Sequence, residues 1–495
     1  MKKLLAMLLA MILLLSALPF AGAAFKDEGF IAEEYRQAVI KMSEQGIING
    51  FENGSFGPKK TLTRAQAAKI LCVMLEGAEK ANALTKTETG FSDVPATHWA
   101  AKFVAYCVEK GIVAGVGDGK YDPDGKLSSA AFAKMLLVAY GKGSDGFTGA
   151  DWMKNVQTAA DETMYLYNLG DKVTTGSMER QKAAQLAANA LVQAGAEADK
   201  AKGDSRTYNA TVPEKMRLYV IGNSYSNDCT IQYLYEMLKD VGVKDLVIGI
   251  LYYSGCRYHQ HADFIMQNKG VYKYYKNETG KFKTQTKVTF DHTLTDEDWT
   301  HIVVMGGGTS KEPMENEAGL WQDVVLAHVR EQCPDAYFIY DMPWSYRTDG
   351  QHSETHQKRM EQYDNDSMKM YEGIKEAKDN LTKAEPRFKA VIPAGTAILN
   401  ARSSFIGNGI HRDKISHLNK GVGRYIAAMA TCCTLTGVTP DQIKYVPDLV
   451  KNAPAGVNKE AAGLQELLEK VARESVTNML AKPFEVTQSQ YKTAP

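Results

Sequence analysis

The chain has 495 residues, 44% of them apolar and 23% charged. That is too long for one ordinary domain and too evenly mixed for a disordered, fibrous or low-complexity polymer, so two or three globular units are expected. Lysine plus arginine and aspartate plus glutamate each total 58, leaving no global field to draw the chain to nucleic acid or an anionic membrane, and recognition has to be local.

At the N-terminus Lys2 and Lys3 precede the apolar run Leu4 to Leu15, and Ala21-Gly22-Ala23 offers the small residues that signal peptidase accepts. Residues 1–23 therefore read as a cleaved secretory signal. The run is shorter than the roughly 20 residues a membrane-spanning helix needs, and no other segment reads as transmembrane. No cysteine near Ala24 can carry a lipid, so attachment to a surface must come from elsewhere. Cysteines 72, 107, 229, 256, 333, 432 and 433 follow no framework spacing, so few or no disulfides are expected. No C-x-x-C pair suggests zinc, and Cys432-Cys433 sits in an apolar run and reads as packing.

Sliding the first half of the chain against itself reveals three copies of one unit, at about 25–75, 91–140 and 147–195. The first copy opens Phe25-Lys26-Asp27, passes through Gly46-Ile47-Ile48-Asn49-Gly50 and Gly54-Ser55-Phe56-Gly57-Pro58, and ends in Thr63-Arg64-Ala65-Gln66. The second repeats Phe91-Ser92-Asp93, Gly111-Ile112-Val113-Ala114-Gly115, Gly119-Lys120-Tyr121-Asp122-Pro123 and Ser128-Ser129-Ala130. The third is worn, keeping Phe147, Trp152, Leu169-Gly170 and Glu179-Arg180-Gln181. Each copy reads as a helix, a glycine turn, an extended loop and a second helix capped by Thr63 or Ser128. One copy cannot bury its apolar face alone, so the three should pack together.

These marks resemble the S-layer homology module over residues 25–195. The resemblance implies an all-α pseudo-trimer that holds exported proteins at the bacterial cell wall by binding a secondary cell-wall polysaccharide, often a pyruvylated one. Position by position it implies Arg64, Gln66 and Arg180 as the wall-polymer contacts, with Ser129 replacing the arginine in the second copy. An arginine at a helix start suits a carboxylate, which its forked donors match.

Residues 196–215 turn to Ala, Lys, Asp and Ser and read as a linker. Beyond it, short apolar runs at Arg217–Ile221, Leu246–Leu251, His301–Met305, Tyr337–Asp341 and Lys389–Ile392 alternate with helical spacing, as at Thr230–Val241 and Trp321–Arg330. That rhythm predicts an α/β domain over 216–440 with a parallel sheet covered on both faces and ligands at the carboxyl ends of its strands. Tyr272 to Tyr275 and Phe282-Lys283 flank Asn277-Glu278-Thr279-Gly280 as a hairpin that either grips sugar rings or covers the sheet edge. Residues 441–495 read as a C-terminal helix, about Lys459 to Leu480, and a polar tail.

The first strand runs into Gly222-Asn223-Ser224, which by itself reads as a turn and helix cap. Arg412-Asp413-Lys414-Ile415-Ser416-His417 precedes the last helix of the sheet domain, and a serine, a histidine and a carboxylate are what nucleophilic acyl chemistry needs. With Gly255-Cys256, His261, Ile392-Pro393-Ala394-Gly395-Thr396-Ala397 and Gly423-Arg424, these segments resemble the SGNH (GDSL-type) hydrolases, in a branch without assigned substrate. The resemblance implies a flavodoxin-like three-layer fold with Ser224 as nucleophile, His417 as base and Asp413 as its orienting acid. It implies the amides of Ser224 and Gly255 as oxyanion donors and needs no metal or cofactor.

The chain departs from that pattern twice. Asp413 and His417 are one residue further apart than in Asp-x-x-His, which puts their pairing in question. Gly306-Gly307-Gly308 stands where an Asn or Gln donor is usual, leaving Thr309 or Asn223 to take its place, and His261 is a further pocket candidate. Asp349-Gly350-Gln351-His352 has the shorter spacing but follows the fourth strand and reads as a decoy. His352 with His356 lacks the glutamate of a metalloprotease motif, and His259 with His261 would face opposite sides of a strand, so neither pair reads as a metal site. The sequence thus points to a secreted, wall-anchored esterase acting on an acylated carbohydrate or small ester, with no nucleic-acid partner and no membrane span after signal removal. The alternative is a non-catalytic surface glycan-binding protein on a degenerate hydrolase fold.

Overall fold

The structure, a computed structural model, describes residues 25–170, 172–305, 319–349, 354–413 and 416–495. The signal expected at 1–23, the Gly306–Gly308 segment with Thr309 and Ser310, and Gly350, Gln351 and His352 lie outside the described residues. The chain divides into two compact units between Lys202 and Gly203.

The first unit is helical: α1 (Glu33–Glu44), α2 (Arg64–Glu76), α3 (Ala78–Asn82), α4 (Ala101–Glu109), α5 (Ser129–Ala139), α6 (Trp152–Asp161) and α7 (Arg180–Lys202). Thr63 and Gln66 cap α2 reciprocally, and Ser128 Oγ accepts Ala131 N–H of α5 at 3.1 Å. Gly46 and Gly111 close α1 and α4 at φ of 68° and 69°, a left-handed turn that favours glycine and explains the Gly-Ile mark. The opening Phe-x-Asp is explained as well. Asp27 accepts Phe56 N–H at 2.7 Å and Gly57 N–H at 2.8 Å, while Asp93 accepts Tyr121 N–H at 2.8 Å and Asp122 N–H at 2.7 Å. Each aspartate thus clamps the Gly-x-Phe/Tyr-x-Pro loop of its own copy.

The copies then exchange partners in a circle. Helix α2 packs on α4, α5 on α6, and α7 on α1, so the second helix of each copy covers the first helix of the next. At the centre Leu62 N–H donates to Met178 O at 3.0 Å, Met178 N–H to Leu127 O at 2.8 Å, and Leu127 N–H to Leu62 O at 2.8 Å. Three equivalent buried segments, one ahead of the second helix of each copy, therefore close a ring of main-chain hydrogen bonds. The worn third copy holds its place in that ring.

The second unit is an α/β domain with a seven-stranded mixed sheet in the order β4-β3-β2-β1-β5-β6-β7. Its elements begin with β1 (Lys215–Gly222), α8 (Ser224–Thr230), α9 (Leu234–Asp240), β2 (Asp245–Tyr252), α10 (Tyr258–Met266), β3 (Tyr272–Asn277), β4 (Phe282–Val288), α11 (Phe290–Leu294) and β5 (His301–Met305). There follow α12 (Leu320–Gln332), β6 (Tyr337–Asp341), α13 (Glu354–Glu361), α14 (Ser367–Ala384), β7 (Phe388–Ile392), α15 (Ala394–Arg402), α16 (Val422–Thr436) and α17 (Leu464–Ala481).

Strands β1, β2, β5, β6 and β7 pair in parallel, as their apolar runs predict. The sheet as a whole is not parallel, because the β3–β4 hairpin adds to the free edge of β2 with antiparallel pairing. Its outer strand, Phe-Lys-Thr-Gln-Thr-Lys-Val, is mostly exposed, and such a polar row discourages further strand addition at the edge. Both faces of the sheet are covered. Leu218 and Val220 of β1 share a core with Tyr425, Ile426 and Met429 of α16, while Tyr219, facing the other way, packs its ring 4.8 Å from Trp299.

Three boundaries differ from the sequence reading. Residues 196–202 continue α7 rather than starting the linker. The single helix expected at Thr230–Val241 is two, because Tyr233 turns left-handed at φ 70° and donates its hydroxyl to Lys420 O. The C-terminal helix is no appendage: Leu468, Val471, Val476 and Met479 of α17 lie in the same core as the sheet.

Asp341 closes β6 with 1% exposure, and among the described residues its Oδ1 has no hydrogen-bond partner. Burial pushes its carboxyl up to about 7, with a hydrogen bond from Cys229 opposing it. The unfolded carboxyl ionises near 3.8, so between that pH and about 7 the folded chain holds a proton the unfolded chain has released, and stability falls as pH rises through the window. Asp341→Asn is therefore expected to raise the melting temperature of the second unit more at about pH 8 than at about pH 4 in calorimetric scans of the full chain.

Candidate functional site

Strand β1 delivers the first site residue. A Cβ on its last residue, Gly222, would lie 2.4 Å from Ser226 Oγ, so only glycine fits where the strand turns into α8. Asn223 then caps the helix: its Oδ1 accepts Tyr225 N–H at 3.0 Å, and its Nδ2 donates to Cys256 O at 3.3 Å. Asn223, offered as a pocket candidate, is a buried cap that ties the turn to the loop after β2. Ser224 stands half-buried as the first residue of α8.

His417 arrives from the far end of the domain, on a loop closed by pairing of His411 with Leu418 and by Arg412 N–H donating to His417 O at 2.8 Å. Its Nε2 is 2.8 Å from Ser224 Oγ, and its Nδ1 is 2.6 Å from Asp413 Oδ2. The longer spacing does not part the carboxylate from the ring. Asp413 Oδ1 also accepts His417 N–H at 3.0 Å, and Ser416 takes up the extra residue in a left-handed turn at φ 66°. That turn is held from outside: Ser416 Oγ accepts Arg347 N–H at 2.9 Å, and its carbonyl accepts Trp344 Nε1–H at 2.7 Å. Lys414 and Ile415 lie outside the described residues.

Burial alone would raise the Asp413 carboxyl. The hydrogen bond from the His417 ring, its charge, the His417 amide and Arg412 outweigh that and hold the group below the usual aspartate value. Asp413 therefore stays ionised behind the imidazole. Beneath the ring lies Tyr225, its centroid 5.4 Å from His417 and 4.6 Å from Trp344.

Gly255 lies in the exposed loop after β2, beside the Ser224 turn, since Gly222 and Tyr252 are paired in register. Among the described residues, no acceptor takes the amide of Ser224 or of Gly255. Thr309 falls outside the described residues.

His261, offered as a pocket candidate, is buried beside Tyr272. It lies on α10 with 3% exposure, its Nδ1 2.9 Å from Tyr272 Oη, and burial followed by the charge of His259 pushes it down to about 3. His259 and His261 share a helix, not a strand, and among the described residues no group of three His, Cys, Asp or Glu side chains is arranged to hold a metal. Asp349 is taken by Arg347 in a forked pair at 2.6 and 2.9 Å, and that hydrogen bond holds its carboxyl at about 2.

Asp228 was not singled out by sequence reasoning. It is fully buried one turn beyond Ser224, and its partners Arg412 and Arg424 lie 184 and 196 residues away. No local spacing signals such a pair, although both arginines belong to marks already noted.

In the first unit, the three positions compared across the copies occupy equivalent junctions. Arg64 of copy one donates Nε to Tyr121 O at 2.7 Å and Nη2 to Ala114 O at 2.8 Å, both in copy two. Ser129 of copy two meets Thr174 of copy three, its Oγ accepting Thr174 N–H at 2.8 Å. Arg180 of copy three donates Nε to Phe56 O at 3.0 Å and Nη2 to Asn49 O at 2.8 Å, both in copy one, and Nη1 to Gln66 Oε1 at 3.4 Å. The first amides of α2 and α7 are also taken, by Gly125, Pro123, Lys60 and Pro58 carbonyls. The anion grip expected at these helix starts is thus occupied by main-chain carbonyls of the neighbouring copy. Arg180, only 4% exposed, is an internal clamp; Arg64 remains half-exposed, its guanidinium 4.5 Å from the Tyr121 ring centroid.

Residues 217–464 match the family described as a domain of unknown function, DUF4886, and residues 24–68 and 90–133 match the S-layer homology domain. The chain is 31% identical over 153 residues to a cell surface protein of Thermoanaerobacter kivui, a match covering 30% of this chain and 19% of that protein. It is 33% identical over 146 residues to the surface-layer 125 kDa protein of Lysinibacillus sphaericus, covering 28% and 12%. With a cellulosome-anchoring protein of Acetivibrio thermocellus it shares 31% identity over 114 residues, 22% of this chain and 25% of that one. The chain thus spans a quarter or less of these relatives. A crystal structure of a DUF4886 family protein from Bacteroides uniformis is 28% identical with a TM-score of 0.46, covering 55% of this chain and 98% of that one.

Removing Arg180 would leave the carbonyls of Asn49 and Phe56 unmet, at about 1–3 kcal/mol per buried group. Arg180→Ala is expected to lower the first unit's transition by about 4 °C or more in calorimetry of the full chain, and Ser129→Ala by clearly less.

Proposed function

Since the chain belongs to the DUF4886 family through residues 217–464 and carries S-layer homology repeats ahead of that domain, we propose that it is a wall-anchored serine esterase removing acyl groups from a carbohydrate or wall polymer. The repeats and the S-layer relatives make it a secreted, cell-surface, S-layer-associated protein. Its anchoring partner in this reading is a secondary cell-wall polysaccharide, met at the half-exposed Arg64 junction.

One observation carries the catalytic reading: Ser224 Oγ, the His417 ring and the Asp413 carboxylate form a continuous chain of contacts at 2.8 and 2.6 Å. Such a chain is what an activated serine requires. His417 Nε2 takes the hydroxyl proton as Ser224 Oγ attacks the ester carbonyl carbon. Asp413 fixes Nδ1–H and balances the imidazolium. The amides of Ser224 and Gly255 receive the negative oxygen, and His417 returns the proton to the departing alcohol. Water, deprotonated in turn by His417, then attacks the acyl-serine and releases the acid. The order β2-β1-β5-β6-β7 of the parallel strands, 2-1-3-4-5 counted among themselves, adds support for a flavodoxin-like, SGNH-type scaffold with its site at the carboxyl ends of the strands.

Full-length protein is expected to hydrolyse p-nitrophenyl acetate, with Ser224→Ala reducing kcat at least about a thousandfold. Equal rates for the two proteins would remove the esterase reading. For the anchor, the full chain is expected to co-sediment with isolated cell-wall sacculi and to be released when the secondary polymer is stripped. Undiminished retention on stripped walls would refute polymer binding.

A further inference from the structure

We propose that Asp228 is the positioning residue of this site: it fixes His417 against Ser224 and sets the charge around the imidazole. The proposal rests on the esterase reading for its kinetic consequence but not for its geometry.

Asp228 sits on α8, the helix that begins with Ser224, and its side chain is fully buried. Its Oδ2 accepts Leu418 N–H at 2.8 Å, while Arg412 Nη1 donates to Leu418 O at 2.7 Å. The residue after His417 is thus gripped at both its amide and its carbonyl. Its Oδ1 accepts Arg412 Nη1 at 2.9 Å and Arg424 Nη2 at 2.6 Å, the latter from α16. One carboxylate therefore joins the nucleophile's helix, the base's loop and the following helix. It tolerates burial because two guanidiniums and a main-chain amide meet it.

The same carboxylate controls the local field. Arg412 Nε also lies 3.7 Å from Asp413 Oδ2, so Arg412 bridges the two aspartates. Among the described residues, other charged or titratable groups facing the His417 loop include Tyr225 on α8, His411 on the loop itself, Arg402 of α15 beside His411, and the Arg347–Asp349 pair after β6. With Asp228 ionised, Arg412 and Arg424 are balanced by Asp228 and Asp413. Removing the Asp228 charge leaves those arginines a net positive excess and disfavours the imidazolium.

The test uses the full chain and two substitutions of opposite sign. Asp228→Asn is expected to lower kcat for p-nitrophenyl acetate about tenfold or more with KM within about twofold, and to move the acidic limb of the rate profile down by about half a pH unit. Arg412→Gln removes a cation instead and is expected to move that limb up. In parallel, the His417 ring resonance is titrated by NMR in wild type and both variants, a readout that needs no turnover. Shifts in opposite directions support the proposal. An unmoved His417 titration in both variants would overturn it, as would Asp228→Asn with wild-type kcat. If wild type shows no Ser224-dependent turnover, the esterase reading falls while the NMR titration still decides the role of Asp228. Should Asp228→Asn not fold, Arg412→Gln alone decides by the direction of its shift.

Discussion

A charged carboxylate inside a protein needs donors to meet it, and Asp228 shows what that requirement organises. Its partners come from a loop and a helix nearly two hundred residues downstream, and satisfying it draws those elements onto the helix that starts at Ser224. Proximity of serine and histidine is then a consequence of charge burial as much as of strand order. The parallel strands bring the two chain segments to one end of the sheet, and the aspartate removes the remaining freedom. Around it the other polar ties fall into place: Ser416 is held by Arg347 and Trp344, and Asn223 links the first turn to the loop carrying Gly255.

The first unit meets a comparable demand with a central ring of main-chain hydrogen bonds. No copy of the repeat has enough apolar surface on its own, and each lends its second helix to the next. The junctions use whatever side chain is present, arginine twice and serine once, while the central ring of amides and carbonyls is the same at each step.

Much of this was legible in the sequence because it is periodic or local. The apolar runs located five strands, Gly-Ile and Phe-x-Asp marked the repeats, and the serine and histidine lay at the strand and helix ends where such residues are usually found. What was not legible is non-local. Nothing near Asp228 announces its arginines, and nothing near Arg180 says that its donors go to carbonyls of the first copy rather than outward. Spacing also misled in three places: the Asp413 to His417 interval is longer than the family pattern yet closes correctly through the turn at Ser416, the hairpin gave a mixed sheet where a parallel one was expected, and His261 was put on a strand when it is buried on a helix. In each instance tertiary contacts overrode a rule that depends only on separation along the chain.

The ring through Leu62, Leu127 and Met178 uses atoms that every amino acid except proline possesses. Architecture there is nearly independent of side-chain identity, so mutation can erase the recognisable letters of a copy without dismantling its place. The family match covers two copies, 24–68 and 90–133, while three copies close the circle. Surface proteins of this kind can therefore carry more repeat modules than a count of their signatures suggests, and a copy whose signature has worn away persists as a keystone for the two that kept theirs.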